Sequence, residues 1–343
     1  MRYVQTVRGT IAPEEMGFTL HHEHIFWDLD IYLPKDLDIH DETDPRNDDI
    51  SLENLSQVRS RFQQYPKNVI QTDIGIAEKE LLWFKEAGGR TICDCTVRGI
   101  GPRPQLLKEV SMRTGMNILA GTGYYCYSAV TEEENELDRY EKAEHMLRDL
   151  RLGFDGTDVK AGFIKVGVQD VHAREDRESL AAAAIAQKET GAPILIHQPG
   201  LEHQSQEIFD VLTANGGALD RVVMCHCDPL LPDLDYIDAI AKAGAYISFD
   251  FFGLDGVLGK TLFLPTDKDR IFSILELIDR GDIEKLVISH DTVYKTMLRQ
   301  FGGYGYAHIQ KDVWPLMLAN GYTQDILDQI SIKNPKEIFS LEA

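Results

Sequence analysis

The feature that most constrains the fold of this 343-residue chain is a short apolar, β-branched run that ends in polar residues and recurs eight times. After most of these runs comes a longer segment whose apolar residues recur at the helical period of about 3.6 residues. The eight predicted strands cover residues 17–24, 90–96, 117–125, 162–168, 193–198, 221–228, 245–250 and 285–291. Buried strands that alternate with helices predict a parallel sheet, and eight such units are the number in a closed (β/α)₈ TIM barrel.

Predicted helices lie between these strands, and several end at a glycine that can adopt the left-handed conformation. They cover residues 55–65, 76–87, 132–150, 179–190, 204–215, 234–243 and 268–280, with residues 307–320 and two short helices after the last strand. The acidic, proline-containing residues 28–51 predict an irregular loop. We therefore expect one barrel domain, residues 1–343, with extra C-terminal helices. An open doubly wound sheet is the alternative, but it normally has a Gly-rich turn after strand one, where this chain has His22-Glu23-His24.

Charge and composition argue against several kinds of partner. Lys plus Arg number 35 and Asp plus Glu number 56, which gives a net charge of −21. A chain this acidic, without a Lys/Arg-rich run, is expected to bind neither nucleic acid nor an anionic membrane surface. Neither a secretory signal nor an 18-residue apolar run is visible. An odd number of cysteines, five, predicts reduced thiols and a cytoplasmic location.

Polar side chains on five of the predicted strands carry the functional prediction. The set comprises His22, His24, Lys165, His197, His226 and Asp291. The spacing of the first two histidines puts both imidazoles on one face of strand one. A lysine inside an apolar strand is costly unless it is paired or chemically altered. Because barrel enzymes place their catalytic groups at the C-terminal mouth, these groups predict a site for more than one divalent metal ion.

Strand alternation predicts how the neighbouring residues are oriented. With His226 turned into the barrel, Cys225 and Cys227 face the helices, and Cys93 and Cys95 are assigned to the same layer. The cysteines are therefore predicted to be small buried hydrophobic residues and not a zinc site.

Residues that alternate with the histidines of strand one are expected outside the site. His21 and Glu23 have the opposite parity to His22 and His24. They are predicted to point outward or to support the metal-binding residues from behind.

Several motifs together resemble the phosphotriesterase family of the amidohydrolase superfamily, which includes the phosphotriesterase-like lactonases. The motifs, within residues 3–339, are Thr19-Leu20-His21-His22-Glu23-His24, Gly121-Thr122-Gly123-Tyr124-Tyr125, Gly162-Phe163-Ile164-Lys165, Ile196-His197, Cys225-His226-Cys227-Asp228 and Ile288-Ser289-His290-Asp291. The resemblance implies a CO₂-derived carbamate on Lys165 that bridges two metal ions. It also implies that His22, His24 and Asp291 hold the more buried ion, and His197 with His226 the more exposed one. Zinc suits a His-rich site best, with manganese, cobalt and iron as alternatives. The same resemblance suggests a homodimer.

A hydrolytic mechanism follows from this resemblance. Hydroxide shared by the two ions is the nucleophile that the resemblance implies, because metal ions lower the pKa of bound water to about 7. Asp291 is expected to take its proton, with a role as a plain metal ligand as the alternative. The expected substrate is a small lactone or carboxylic ester, with or without a phosphate or carboxylate group, and slow organophosphate triester cleavage is expected as a side activity. An amidase acting on N-acyl amino acids is the alternative.

Residues near the mouth are predicted to contact this small-molecule substrate. Tyr125 follows strand three, where lactonases of the family have a tyrosine beside the metals. Phe251 stands where acyl-homoserine lactonases have an arginine, which argues against long-chain lactones. Lys295 and Arg299 are expected either to bind a substrate anion or to be solvated surface charges, and Lys260 is a weaker candidate of the same kind.

Overall fold

Eight parallel strands form the centre of the computed structural model, which describes residues 1–258 and 262–342. The strands are Thr19–Glu23, Thr91–Asp94, Asn117–Tyr124, Phe163–Gly167, Ile194–His197, Val222–Cys225, Tyr246–Phe249 and Leu286–Ile288. Each strand pairs in parallel with the next one along the chain. The Asp291 N–H donates to the His22 carbonyl oxygen at 3.2 Å, which joins the ends of the last and first strands. The predicted (β/α)₈ barrel is confirmed, and every strand lies within a predicted run.

Helices cover the outside of the barrel and extend beyond the last strand. The α-helices are Leu55–Ser60, Pro66–Val69, Ile74–Glu86, Pro104–Thr114, Glu132–Glu136, Arg139–Arg151, Arg174–Thr190, Ser205–Ala214, Leu234–Lys242, Asp267–Asp279, Trp314–Ala319, Gln324–Asp328 and Asn334–Phe339. Two π-helical turns, Ile309–Val313 and Gln329–Lys333, lead into helices of the C-terminal region. Within the described ranges, no helix has the length and apolar character needed to cross a membrane.

The single turn Pro66–Val69 is not among the helices predicted from the sequence, and neither is the longer helix Pro104–Thr114. It begins with proline at its first position and ends at Gly115, which has a φ of 70°. Both residues are ordinary start and stop signals for a helix. The predicted irregular loop 28–51 is confirmed, since it contains the short 3₁₀ turns Asp30–Tyr32 and Pro45–Asn47 between non-helical segments.

A tightly packed cluster of side chains fills the lower part of the barrel. Seven strands or their immediate ends contribute Cys93, Cys95, Leu119, Phe163, Leu195, Val223, Cys225, Tyr246 and Val287. Residues from both ends of the chain close this cluster: Val4, Met16, Ile338 and Phe339. They lie on or near a small antiparallel sheet formed by Arg2–Thr6, Gly9–Ile11 and Leu341–Glu342. Because side chains fill the interior, the barrel is a packed core and its reactive groups are confined to one end.

The predicted orientation is wrong for three of the four strand cysteines. Cys93, Cys95 and Cys225 belong to the interior cluster, and Cys227 packs with the residues on the helix side. The strand ends at Cys225, and His226 adopts a left-handed backbone conformation with a φ of 59°. Alternation therefore cannot be counted back from His226 into the strand. All four thiols are buried, as predicted for small hydrophobic residues.

Candidate active site

The six predicted metal-binding residues lie together at the C-terminal end of the barrel and line one cavity. They are His22, His24, Lys165, His197, His226 and Asp291. The His22 Nε2 atom lies 3.1 Å from Lys165 Nζ and 3.4 Å from Asp291 Oδ1. His24 Nε2 lies 3.1 Å from the same Asp291 oxygen. The structure thus brings the side chains of strands one, four and eight within direct contact distance.

Two residues of this group reach the cavity through an unusual backbone conformation. His226 follows the end of strand six with a φ of 59°, and Asp291 follows strand eight with a φ of 51°. No other non-glycine residue in the described part of the chain has a positive φ. Left-handed non-glycine residues concentrate at functional sites, where surrounding contacts hold them in place. The ring of His226 lies 4.5 Å from that of His197 between centroids, which brings strand five into the group.

Asp250, at the end of strand seven, is a site residue that was not predicted. Its carboxylate accepts hydrogen bonds from His22 Nδ1 at 2.7 Å and from His226 Nδ1 at 2.8 Å. The His226 backbone N–H and the Ser248 hydroxyl also donate to it. Because an ionised carboxylate only accepts, both imidazoles carry their proton on Nδ1 and leave Nε2 for a ligand. The signal that could have found Asp250 is the same as for its neighbours, a polar residue at the end of an apolar strand.

The tautomer of His24 is set in the same way by Thr96. The Thr96 hydroxyl donates to the Phe26 carbonyl oxygen at 2.9 Å, so its oxygen accepts from His24 Nδ1 at 2.8 Å. The Nε2 atom of His24 then faces Asp291. In three imidazoles of the site, Nδ1 is therefore held by a hydrogen bond and Nε2 is the nitrogen left for a ligand.

Charge in the site matches what a divalent cation requires. Burial lowers the pKa of His22 to about 4 and that of His197 well below its usual value. Burial by itself raises the pKa of Asp291, but His22, His24 and His226 hold that pKa well below its ordinary range. Neutral imidazoles and an anionic carboxylate are the donors that divalent transition metals bind. The ligand atoms of His22, His24 and Asp291 lie within 4.8 Å of one another. The atoms of His22, His226 and Asp250 are equally close, but they are the hydrogen-bonded group in which Asp250 accepts from the two imidazoles.

Two of the predicted substrate residues line the cavity. The Tyr125 hydroxyl lies 3.4 Å from His197 Nδ1 and 3.0 Å from the hydroxyl of Tyr32. The ring of Phe251 stacks on that of His226, with centroids 4.8 Å apart and planes at 24°. Tyr32 comes from the irregular loop 28–51 and was not predicted, because no local pattern places a loop residue over a barrel.

The two cations predicted to bind substrate, Lys295 and Arg299, do not line the cavity. The Arg299 guanidinium lies over the ring of Trp83, 4.6 Å from its centroid, and the charges that act on the half-buried Lys295 amine are those of Lys67, Asp73 and Asp49. Neither residue is part of the cavity wall. Their chain segment forms two 3₁₀ turns after strand eight, Lys295–Met297 and Arg299–Phe301. A role for either in substrate binding stays a prediction, and Lys260 lies outside the described residues.

His21 points into the barrel below the site, so of its two predicted placements the outward one is wrong and the supporting one agrees with the structure. Its Nε2 atom lies 2.7 Å from the Ser248 hydroxyl, and its Nδ1 atom lies 3.2 Å from the Ile288 carbonyl oxygen. The pairing of strands one and two shifts register between Leu20 and Glu23. Simple alternation fails across such an irregularity.

The cavity has a volume of about 230 Å³. Outside the donor group, which comprises His22, His24, Lys165, His197, His226 and Asp291, its wall is mainly apolar. Its apolar and aromatic residues are Leu29, Tyr32, Ile100, Tyr125, Pro229, Phe251, Leu254, Leu262, Val293 and Tyr294. Gln63 and Gln198 add neutral polar groups. Among the described residues of the wall, Lys165 is the one Lys or Arg. Such a wall suits a small molecule whose enclosed part is uncharged.

Comparison with protein families and curated relatives gives consistent matches. The family model described as "Phosphotriesterase family" matches residues 2–339. A phosphotriesterase-related protein of Nematostella vectensis is 35% identical over 338 residues, with 97% of each chain covered. The N-acetyltaurine hydrolase of Homo sapiens is 31% identical over 345 residues, again with 97% of each chain covered.

Solved structures resemble the chain over nearly its whole length. A resiniferatoxin-binding protein from Rhodobacter sphaeroides has 32% sequence identity and a TM-score of 0.93, with 98% of this chain and 94% of that chain covered. A mutant of a Deinococcus radiodurans PTE-like lactonase has 26% identity and a TM-score of 0.78, with 98% of this chain and 99% of that chain covered.

Proposed function

The chain belongs to the phosphotriesterase family of hydrolases, and from this premise we propose that it is a binuclear metal-dependent hydrolase of a small lactone or carboxylic ester. The observation that carries the proposal is the meeting of histidine Nε2 atoms and the Asp291 carboxylate at one cavity. His22, His24 and Asp291 would hold one ion, and His197 with His226 a second. Bound divalent ions lower the pKa of water to about 7 and polarise an acyl oxygen. Zinc is our first choice, with manganese, cobalt and iron as alternatives.

Lys165 is proposed to carry a carbamate. Its amine lies 3.1 Å from His22 Nε2 and 3.5 Å from Cys225 Sγ in a fully buried position. An ammonium group there would repel a metal ion held by His22. Addition of CO₂ to the neutral amine forms an N–C bond and releases one proton, which leaves an anionic carbamate. The positive charge then becomes a negative group that can ligate metal.

Asp291 and Tyr125 are proposed to act on the reacting groups. Asp291 Oδ1 faces His22 and His24, whereas Oδ2 lies 3.9 Å from His226 Nδ1. Oδ2 is therefore the oxygen we assign to accept a proton from the attacking water. Burial raises the pKa of Tyr125 well above its usual value, so this hydroxyl keeps its proton and can donate to a substrate oxygen.

An apolar wall favours an uncharged substrate. Lactones and carboxylic esters are neutral acyl compounds that fit a cavity of this size. Organophosphate triesters are neutral as well, which is consistent with slow triester cleavage as a side activity. A substrate carboxylate or phosphate, if present, would have to lie outside the apolar part of the cavity.

Amide hydrolysis is the second candidate. It is favoured by a specific observation, the 31% identity over 97% of each chain to a human N-acetyltaurine hydrolase. Esters and amides pass through similar tetrahedral intermediates, so one site can stabilise either. The two reactions differ in the leaving group, since an amine must be protonated before it departs.

A matched substrate panel tests both candidates. The zinc- or manganese-loaded protein is assayed against a lactone, a carboxylic ester and an N-acyl amide of equal acyl size, and against an aryl phosphotriester. The proposal expects the lactone or ester to give the highest kcat/KM and removal of metal to abolish turnover. A higher value for the amide would establish the second candidate. Undiminished turnover by a metal-free His197→Ala protein would contradict both.

A further inference from the structure

Glu23 stands between two histidines of the site in sequence, but its carboxylate faces the chain after strand eight. One oxygen, Oε1, accepts hydrogen bonds from the Ser289 hydroxyl at 2.7 Å, the His290 N–H at 2.8 Å and His290 Nδ1 at 2.8 Å. The other, Oε2, accepts from the Thr292 N–H at 3.0 Å. Glu23 is fully buried, so these four donors satisfy a charge that has no access to water.

The donors lie on both sides of Asp291. Its own N–H donates to the His22 carbonyl oxygen at 3.2 Å, so the three successive N–H groups of residues 290–292 all bind His22 or Glu23. Asp291 is at the same time held at a φ of 51°. A non-glycine residue keeps this conformation only where its surroundings impose it. The hydrogen bonds of Glu23 flank the strained residue and supply that constraint.

We propose that Glu23 is a positioning residue, which holds the backbone of Asp291 in its left-handed conformation and thereby sets Asp291 against the imidazoles of His22 and His24. The inference rests on the proposed function in that it takes Asp291 as a metal ligand. Glu23 carries this role because strand one supplies both the two histidines and the carboxylate. A single strand therefore determines where three ligands meet.

A carboxylate is needed for this geometry, and an amide is not equivalent. In Glu23→Gln the remaining oxygen can accept from Ser289 and His290, but the NH₂ group then faces the Thr292 N–H. Two donors would oppose each other next to Asp291. Partners that orient metal ligands typically change metal affinity or activity by about 10–100-fold when mutated.

Glu80 provides a matched control. This buried carboxylate also accepts from two successive backbone N–H groups, those of Gln300 at 2.8 Å and Arg299 at 3.1 Å. The segment that Glu80 holds, residues 299–300, also follows strand eight, but it does not flank a residue of the donor group. Glu80→Gln therefore removes a similar hydrogen-bonded clamp at a distance from the cavity.

The test compares the wild type, Glu23→Gln and Glu80→Gln in three measurements: zinc affinity, amide hydrogen exchange over residues 289–292, and thermal stability. Glu23→Gln is expected to bind one zinc ion about 10–100-fold more weakly and to exchange the His290 and Thr292 amides faster. Glu80→Gln is expected to keep wild-type zinc affinity. The proposal is overturned if both variants lose stability equally and Glu23→Gln keeps wild-type zinc affinity.

Glu23→Asp covers the case in which Glu23→Gln does not fold. It keeps the charge but is one methylene too short to reach both N–H groups, so faster exchange at one of the two amides is expected. Unchanged exchange and zinc affinity in Glu23→Asp would also overturn the proposal. If the wild type binds no metal, the proposed function fails, whereas the exchange rates of residues 289–292 still decide whether Glu23 holds Asp291.

Discussion

The two ends of the barrel are built on the same eight strands but from opposite kinds of side chain. At the closed end, apolar residues from the strands meet Val4, Met16 and Phe339. The rings of Phe163 and Phe339 pack edge to face with centroids 5.5 Å apart. At the open end, imidazoles, carboxylates and Lys165 contact one another around the cavity.

Backbone conformation differs between the ends as well. The two left-handed non-glycine residues of the described chain, His226 and Asp291, both lie at the open end. Each such conformation costs about 1–3 kcal/mol. The packing at the closed end thus stabilises the fold, whereas the arrangement of polar groups at the open end lowers the stability of the folded protein. Mutations at the two ends should accordingly separate activity from stability.

The largest effect on activity is expected from Asp291→Asn at the open end. Asparagine tolerates a left-handed backbone and has the same shape, but it can neither accept the proton nor provide the anionic oxygens. Turnover should fall to the background rate, and zinc content, measured by atomic absorption, should fall with it. The free energy of unfolding of the metal-free protein should decrease only modestly, because the folded site favours the ionised form of Asp291 and the amide lacks that charge. A large loss of stability without loss of bound metal would break the separation between the two ends.

The next largest effect is expected from Phe339→Ala at the closed end. Phe339 is fully buried against Phe163, so truncation should lower the free energy of unfolding by about 3–5 kcal/mol. Urea denaturation measures this change. Zinc content and kcat of the folded protein should stay at wild-type values, and Phe339→Leu should show a smaller loss of stability. Lower zinc affinity in folded Phe339→Ala would show that the closed end also shapes the site.

The smallest effect concerns His21, which lies between the two ends. Burial lowers its pKa from 6.5 to about 3, so the unfolded chain takes up a proton in this range and the folded chain does not. The contribution of His21 to the free energy of unfolding is therefore full above pH 6.5 and decreases as the pH falls toward 3. In His21→Gln the stability of the metal-free protein should depend less on pH between 6.5 and 4. Identical slopes for both proteins in urea titrations would contradict this assignment.

Much of the donor group was predictable because it depends on local pattern. Apolar runs predicted each of the eight strands, and the polar residues on them identified six side chains that do meet in the structure. Asp250 was missed although it ends strand seven in the same way. The helix Pro104–Thr114 was missed despite its proline and glycine signals. Both the role of Asp250 and this helix could have been predicted from these residues in the sequence.

The sequence by itself determined the order of strands and helices, and therefore a barrel whose polar strand ends lie at one mouth. Periodicity and strand polarity are local properties, and parallel strands bring their C-terminal ends to the same side. Only the tertiary structure decided that Cys225 faces inward, that Arg299 stacks on Trp83, and that Tyr32 covers the cavity. These outcomes depend on a left-handed turn at His226 and on where long loops pack. Such contacts join residues distant in sequence, so no local pattern encodes them.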